Sequence, residues 1–171
     1  MGDERKTHLI LVGLPGSGKS TVGKAVAAVL DHPFLDLDAE IERREAMTVA
    51  EIFAARGEES FRELERVVTK ELRTAPPTIL APGGGWIANP GCSALLCPPA
   101  KMIYLLTNPE RAVRRMGSKI QTRPMLAGAY PVAGLEKLLA AREELYLQAD
   151  HTVSVDSIPF KTIVERIVAL A

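Results

Sequence analysis

Short apolar runs alternate along the chain with longer stretches in which apolar positions recur every three or four residues. That alternation predicts most of the architecture. His8-Leu9-Ile10-Leu11-Val12 is short and nearly continuous, as a buried strand should be. After it, Val22, Ala25, Val26 and Val29 follow the i, i+3, i+4, i+7 spacing of a helix with one apolar face. Asp31-His32-Pro33 closes that helix. Phe34-Leu35-Asp36-Leu37-Asp38 then alternates apolar with acidic, which predicts a strand carrying Asp36 and Asp38 on one face at its carboxyl end. A helix over residues 39–44 follows. Thr48-Val49-Ala50-Glu51 has the spacing of a capping box, and Gly57 marks a helix stop. Phe61, Leu64, Val68 and Leu72 form the stripe of a further helix that Pro76-Pro77 breaks.

Residues 78–81, 102–106 and 152–155 predict a third, fourth and fifth strand. Asn108-Pro109-Glu110 supplies cap, N1 proline and first-turn acid for a helix start. Leu135, Leu138, Leu139, Leu145 and Tyr146 share a helix with Arg142. Ser157 with Pro159 opens a last helix, whose Ile163, Val164, Ile167 and Val168 face the core. Strands separated by helices throughout imply an α/β fold, a parallel sheet covered on both faces. Between residues 117 and 131 the periodicity is lost in a stretch holding Gly117, Lys119, Arg123, Pro124, Gly128 and Pro131. A loop of that length predicts a mobile cover over a site.

Composition narrows the picture. At 171 residues, 47% hydrophobic and 25% charged, the chain has the size and balance of one soluble globular domain. Its net charge of zero gives no global field toward nucleic acid or an acidic membrane, so anion-binding groups must be clustered locally. No apolar run approaches the ~18–20 residues that cross a bilayer, and no signal peptide opens the chain. The expectation is therefore cytoplasmic. Cys92 and Cys97 are too few for a disulfide scaffold and lack the nearby histidines of a zinc site.

The strongest chemical signal is Gly13-Leu14-Pro15-Gly16-Ser17-Gly18-Lys19-Ser20, which fits G-x-x-x-x-G-K-[ST] at every fixed position. Glycines without a Cβ let the backbone turn its N–H groups around phosphate oxygens. Lys19 brings a compact charge to the β- and γ-phosphates, and Ser20 offers a hydroxyl to Mg²⁺. Strand, loop and helix stand in the required order, and the helix N-terminus adds its own attraction for an anion. Thr21 stands where a dinucleotide fingerprint starting at Gly16 would need glycine. A nucleoside triphosphate site is the expectation. Thr107-Asn108-Pro109-Glu110, after the fourth strand, cannot serve as the Asn-Lys-x-Asp of guanine recognition. Acidic groups, the Gly83-Gly84-Gly85 cluster and several arginines at one sheet edge suit a small kinase with a polar acceptor.

At this point the chain resembles the shikimate kinase family over nearly its whole length. Beyond the phosphate loop, the family's Asp-x-Asp appears as Asp36-Leu37-Asp38 and its Phe-Arg-x-x-Glu as Phe61-Arg62-Glu63-Leu64-Glu65. Its glycine cluster appears as Gly83-Gly84-Gly85, its lid motif as Arg123-Pro124-Met125-Leu126, and its Arg-x-x-Leu-Tyr as Arg142-Glu143-Glu144-Leu145-Tyr146. The resemblance implies a three-layer P-loop kinase fold with a five-stranded parallel sheet and a mobile lid. One kinase domain over 1–171 would hold the phosphate loop at 13–20, an acceptor-binding region at about 36–65 and the lid at about 117–131.

The implied activity is transfer of the γ-phosphoryl group of ATP to a ring hydroxyl of shikimate, with Mg²⁺, by a monomer that needs neither nucleic acid nor membrane. The implied nucleotide residues are Gly16, Ser17, Gly18, Lys19, Ser20, Thr21, Arg115 and Arg123, with Arg115 stacking on adenine. Ser20 and Asp36 would face the metal. Asp38, Arg62, Gly83, Gly84, Gly85 and Arg142 would meet the acceptor. The two guanidinium groups would hold its carboxylate, and Asp38 its attacking hydroxyl. Lys19, Asp38 and Arg123 would carry catalysis.

Other readings stand beside these. Arg62 is spaced to pair with Glu65 or Glu59, Arg142 could be a solvated helix residue, and Arg111 and Arg114 compete with Arg115. A gluconate or nucleoside monophosphate kinase would also use such groups, and an inactive nucleotide-binding regulator could keep the fold. Ala81-Pro82 departs from the family before the glycines, and Met125 replaces a lid leucine.

Overall fold

The computed structural model describes residues 7–123, 126, 128 and 130–171. In chain order the elements are β1 (Leu9–Val12), α1 (Lys19–Leu30), β2 (Phe34–Asp36), α2 (Leu37–Glu45), α3 (Val49–Glu71) and β3 (Ile79–Ala81). There follow α4 (Cys92–Leu96), β4 (Lys101–Leu106), α5 (Pro109–Met116), α6 (Pro131–Tyr146), β5 (His151–Ser154) and α7 (Phe160–Val168). The five strands form one parallel sheet in the order β2-β3-β1-β4-β5. The chain leaves β1 toward one edge, returns through β3, and crosses to β4 and β5 on the other side. β1 is thus the central strand, and the loops after β1, β2 and β3 open side by side at the carboxyl ends, where open α/β sheets bind ligands.

The two-residue period of the strands divides the core. Leu9, Leu11, Ile79, Ile103, Leu105 and Val153 pack with Val22 and Val26 of α1 and Ile163, Val164 and Ile167 of α7. Ile10, Val12, Leu80, Met102 and Tyr104 face the other layer, built on α2, α3, α5 and α6. Each such side chain contributes about 1.5–3 kcal/mol by leaving water. That is why strands of three to six residues suffice here.

Three expectations need correction. Asp36 and Asp38 do not share a strand face. Asp36 Oδ1 accepts from Ala39 N (3.2 Å), so the strand ends at Asp36 and α2 begins one residue later. Asp38 and Glu40 then lie in the helix's first turn, where its dipole favours acids. Gly57 leaves helical geometry (φ 81°, ψ 169°) and stops the first helical run where expected; a second run begins immediately beyond it, and the two together are α3. Residues 117–122, expected as loop, form a 3-10 turn, and Pro131 is already inside α6. Ser157 gives no cap to α7, which starts after Pro159. The Asn108 cap and the Thr48–Glu51 capping box form as their spacing requires. Pro124 and Met125 of the lid motif lie outside the described residues.

Candidate active site

The carboxyl ends of the strands open into one cavity of about 1170 Å³. All fifteen positions singled out from the sequence as site residues, from Gly16 to Arg142, line it. On its floor lies the phosphate loop between β1 and α1. Gly16 sits at φ 80°, and a Cβ there would strike the Ala112 carbonyl of α5, so both conformation and space demand glycine. Lys19 Nζ donates to Gly13 O (2.8 Å) and Leu14 O (2.9 Å). Burial, reinforced by the nearby Arg123 guanidinium, pulls the Lys19 ammonium down to about 7. Ser20 Oγ donates to Asp36 Oδ2 at 2.5 Å, setting a hydroxyl and a carboxylate side by side at the loop's edge.

Beside the loop, Asp38 presents a carboxylate whose Oδ1 is buried and has no hydrogen-bond partner. Burial, with Glu65 and Asp36 close by, raises its pKa to about 6. Against it runs the backbone of the glycine cluster. A Cβ on Gly83 would collide with the Asp38 carboxylate, and one on Gly85 with the Arg62 guanidinium. The sequence requirement for adjacent glycines is therefore one of space. Arg142 Nη1 donates to Gly84 O at 2.6 Å, which fixes the second guanidinium on the same strip of backbone.

Both arginines reach the cavity by periodicity. Arg142 lies on the buried stripe of α6 with Leu135, Leu138 and Tyr146, and it is buried rather than solvated. Arg62 does pair with Glu65, through Nη1 and Oε2 at 2.8 Å, and also with Glu58 (3.0 Å), while Glu59 pairs with Arg66. These pairs hold Arg62 in the cavity wall. Glu65 itself is 0% exposed. The sequence reading placed it in a motif and named it only as a candidate partner for Arg62. Its position on the apolar stripe with Phe61, Val68 and Leu72 was the available signal, because an unpaired carboxylate is not tolerated there. Phe53 and Phe61, ring centroids 5.1 Å apart, form the facing aromatic wall.

Arg123, at the end of the 3-10 turn, lines the cavity close enough to Lys19 to act on its charge. Farther along, Arg115 donates to Asp156 Oδ1 (2.8 Å), Thr107 Oγ1 (2.7 Å) and Val155 O (3.1 Å), which anchors it between the β4 and β5 ends of the cleft. Arg111 is turned to the Asp156 carbonyl, and neither it nor Arg114 lines the cavity. Val155, Ile158, Phe160 and Ile163 also line the cavity with apolar surface; the sequence reading gave Val155 to a strand and Ile163 to the core, and none of the four to the site. Among the described residues no helix is long and apolar enough to cross a membrane.

The arrangement can hold a triphosphate against one wall and a small hydroxylated anion against the other. Comparison with known proteins agrees. The family profile described as shikimate kinase matches residues 15–171. A shikimate kinase from Nitrobacter winogradskyi is 40% identical over 162 residues, covering 95% of this chain and 75% of that protein. The solved shikimate kinase from Acinetobacter baumannii in complex with shikimate is 34% identical, with a TM-score of 0.90 over 98% of this chain and 93% of that one. A gluconokinase from Sinorhizobium meliloti, 19% identical with a TM-score of 0.58 over 96% of this chain and 91% of its own, shares the fold alone. The chain belongs to the shikimate kinase family.

Proposed function

We propose that this chain transfers the γ-phosphoryl group of ATP to a ring hydroxyl of shikimate, giving shikimate 3-phosphate and ADP. The observation that carries the reading is the convergence of Lys19, Asp38, Arg62, Arg123 and Arg142 on one cavity. Arg62 and Arg142, both set against the glycine strip, hold the acceptor's carboxylate by paired charge-assisted hydrogen bonds. That grip turns the ring so that its attacking hydroxyl meets Asp38, whose free Oδ1 accepts the proton. Phe53 and Phe61 shield the ring from water.

The loop N–H groups and Lys19 receive the β- and γ-phosphates, and Arg123 neutralises charge that builds on the transferring group. Arg115 backs the adenine. Ser20 and Asp36 offer adjacent oxygens, the donor type that Mg²⁺ takes, and an ion bound mostly by water and phosphate needs few protein ligands. Mg²⁺ bound there would supply charge neutralisation to the phosphates. Every group comes from one chain, so a monomer is complete.

The test is ADP release by the purified protein with ATP and Mg²⁺, followed through a coupled assay. Release that depends on shikimate, saturates with it and is not supported by gluconate is the expected result. Equal release without an acceptor, or with gluconate in its place, would overturn the assignment.

A further inference from the structure

The segment after the glycine strip is fastened to α3 by two buried side chains. Trp86 donates through Nε1 to Thr69 Oγ1 (2.9 Å), and Thr69 Oγ1 donates to Glu65 O (2.6 Å). Asn89, 3% exposed, uses its whole amide. Its Nδ2 donates to Arg62 O (2.9 Å) and to Glu65 Oε2 (3.0 Å), and its Oδ1 accepts from Arg66 Nη1 (2.9 Å). The flipped amide would turn an NH2 group onto the Arg66 guanidinium and leave Glu65 facing an oxygen, so this orientation is the one chemistry permits.

Glu65 Oε2 is also the oxygen that accepts from Arg62 Nη1. Asn89 therefore grips Arg62 at both ends, at its carbonyl directly and at its guanidinium through one carboxylate. Glu65 is wholly buried, and its second oxygen, Oε1, has no partner. Held by Arg62 alone, that carboxylate could rotate about its last torsion, which is broad and weakly restrained. The Arg62 guanidinium would then swing with it. A second donor on Oε2 removes that freedom. Asn89 does not itself line the cavity.

We propose that Asn89 is a positioning residue for the acceptor site: by fixing Glu65 it sets the angle at which the Arg62 guanidinium meets the acceptor's carboxylate. The inference rests on Arg62 holding that carboxylate. The grip exists in ground and transition states alike, so loosening it weakens acceptor binding and leaves turnover nearly untouched.

The test is a cycle of Asn89→Leu, Arg62→Ala and the double variant, each with both KM values, kcat and Tm. Asn89→Leu should raise KM for shikimate by about tenfold, the size of one lost hydrogen bond to a charged group. KM for ATP and kcat should stay within about twofold. In the Arg62→Ala background the same change should add nothing to KM while still lowering Tm. If Asn89→Leu fails to fold, Asn89→Asp keeps the acceptor toward Arg66, removes both donors, and should show the same split. Arg62→Ala raising KM while neither Asn89 variant does would sink the positioning role alone. Arg62→Ala leaving KM unchanged would sink the carboxylate grip and this inference with it. An Asn89 effect spread equally over ATP and shikimate would mark Asn89 as merely structural.

Discussion

Lys19 and Asp38 are near neighbours in the cavity, and burial pushes each toward its neutral form, the lysine down to about 7 and the carboxyl up to about 6. The free site therefore stores unfavourable charge that its ligands relieve. A triphosphate favours the ammonium, so ATP binding at pH 7.5 should draw roughly half a proton or more from the buffer. Calorimetry in two buffers of different ionisation heat would measure this uptake, and Lys19→Met should remove it. For Asp38 the sign is opposite in function and in stability. In the proposed reaction Asp38 acts as a carboxylate, so kcat/KM for shikimate should fall about tenfold per pH unit below about 6. The raised pKa stabilises the fold only while the group is protonated: fully below its unfolded value of 3.8, and lost as pH rises through about 6. Asp38→Asn should thus be inactive yet more stable at neutral pH, by about 1–3 kcal/mol. A lower Tm in that variant at pH 7.5 would contradict the charge assignment.

The break at Gly57 leaves the first part of α3 only two turns long, too short to persist unaided. Its capping box holds it: Thr48 Oγ1 accepts from Glu51 N, and Glu51 Oε2 accepts from Thr48 N at 2.6 Å. Thr48→Ala should cost about 1 kcal/mol. Hydrogen exchange should quicken at residues 52–56 well before it does in β1. Capped helices of this kind were legible in the sequence, because cap, proline and stripe are local signals. The passage from β2 into α2 was not. Over five residues Phe34-Leu35-Asp36-Leu37-Asp38 fits a two-residue period, and only the Ala39 N–H reaching back to Asp36 shows that a helix has begun. α4, five residues long and set among prolines and glycines, has too few positions to display a period at all.

Across the molecule, all five strands and the parallel class follow from pattern. The strand order does not, since apolar strands of similar length give no local reason for β3 to lie between β1 and β2. The cavity residues were legible through motif and resemblance. Glu65 was legible only through its spacing from Arg62 and its place on an apolar stripe, and Asn89 not at all, because nothing but its contacts with Arg62 and Glu65 singles it out. Ile103, 0% exposed, separates scaffold from site: it faces α1 and α7 and does not line the cavity. Ile103→Ala should lose about 2–5 kcal/mol in urea unfolding while the folded enzyme keeps its kcat.

The strip from Gly83 to Gly85 has one more implication, for how far this enzyme can be redesigned. Bare main chain lies against Asp38 and both guanidinium groups, and a methyl at 83 or 85 would displace the Asp38 carboxylate or the Arg62 guanidinium before an acceptor arrives. A larger residue there moves a charged group out of its present place, so its first effect falls on the grip rather than on the room available. Phe53, an apolar residue of the lining, can change the shape of the pocket without touching those groups.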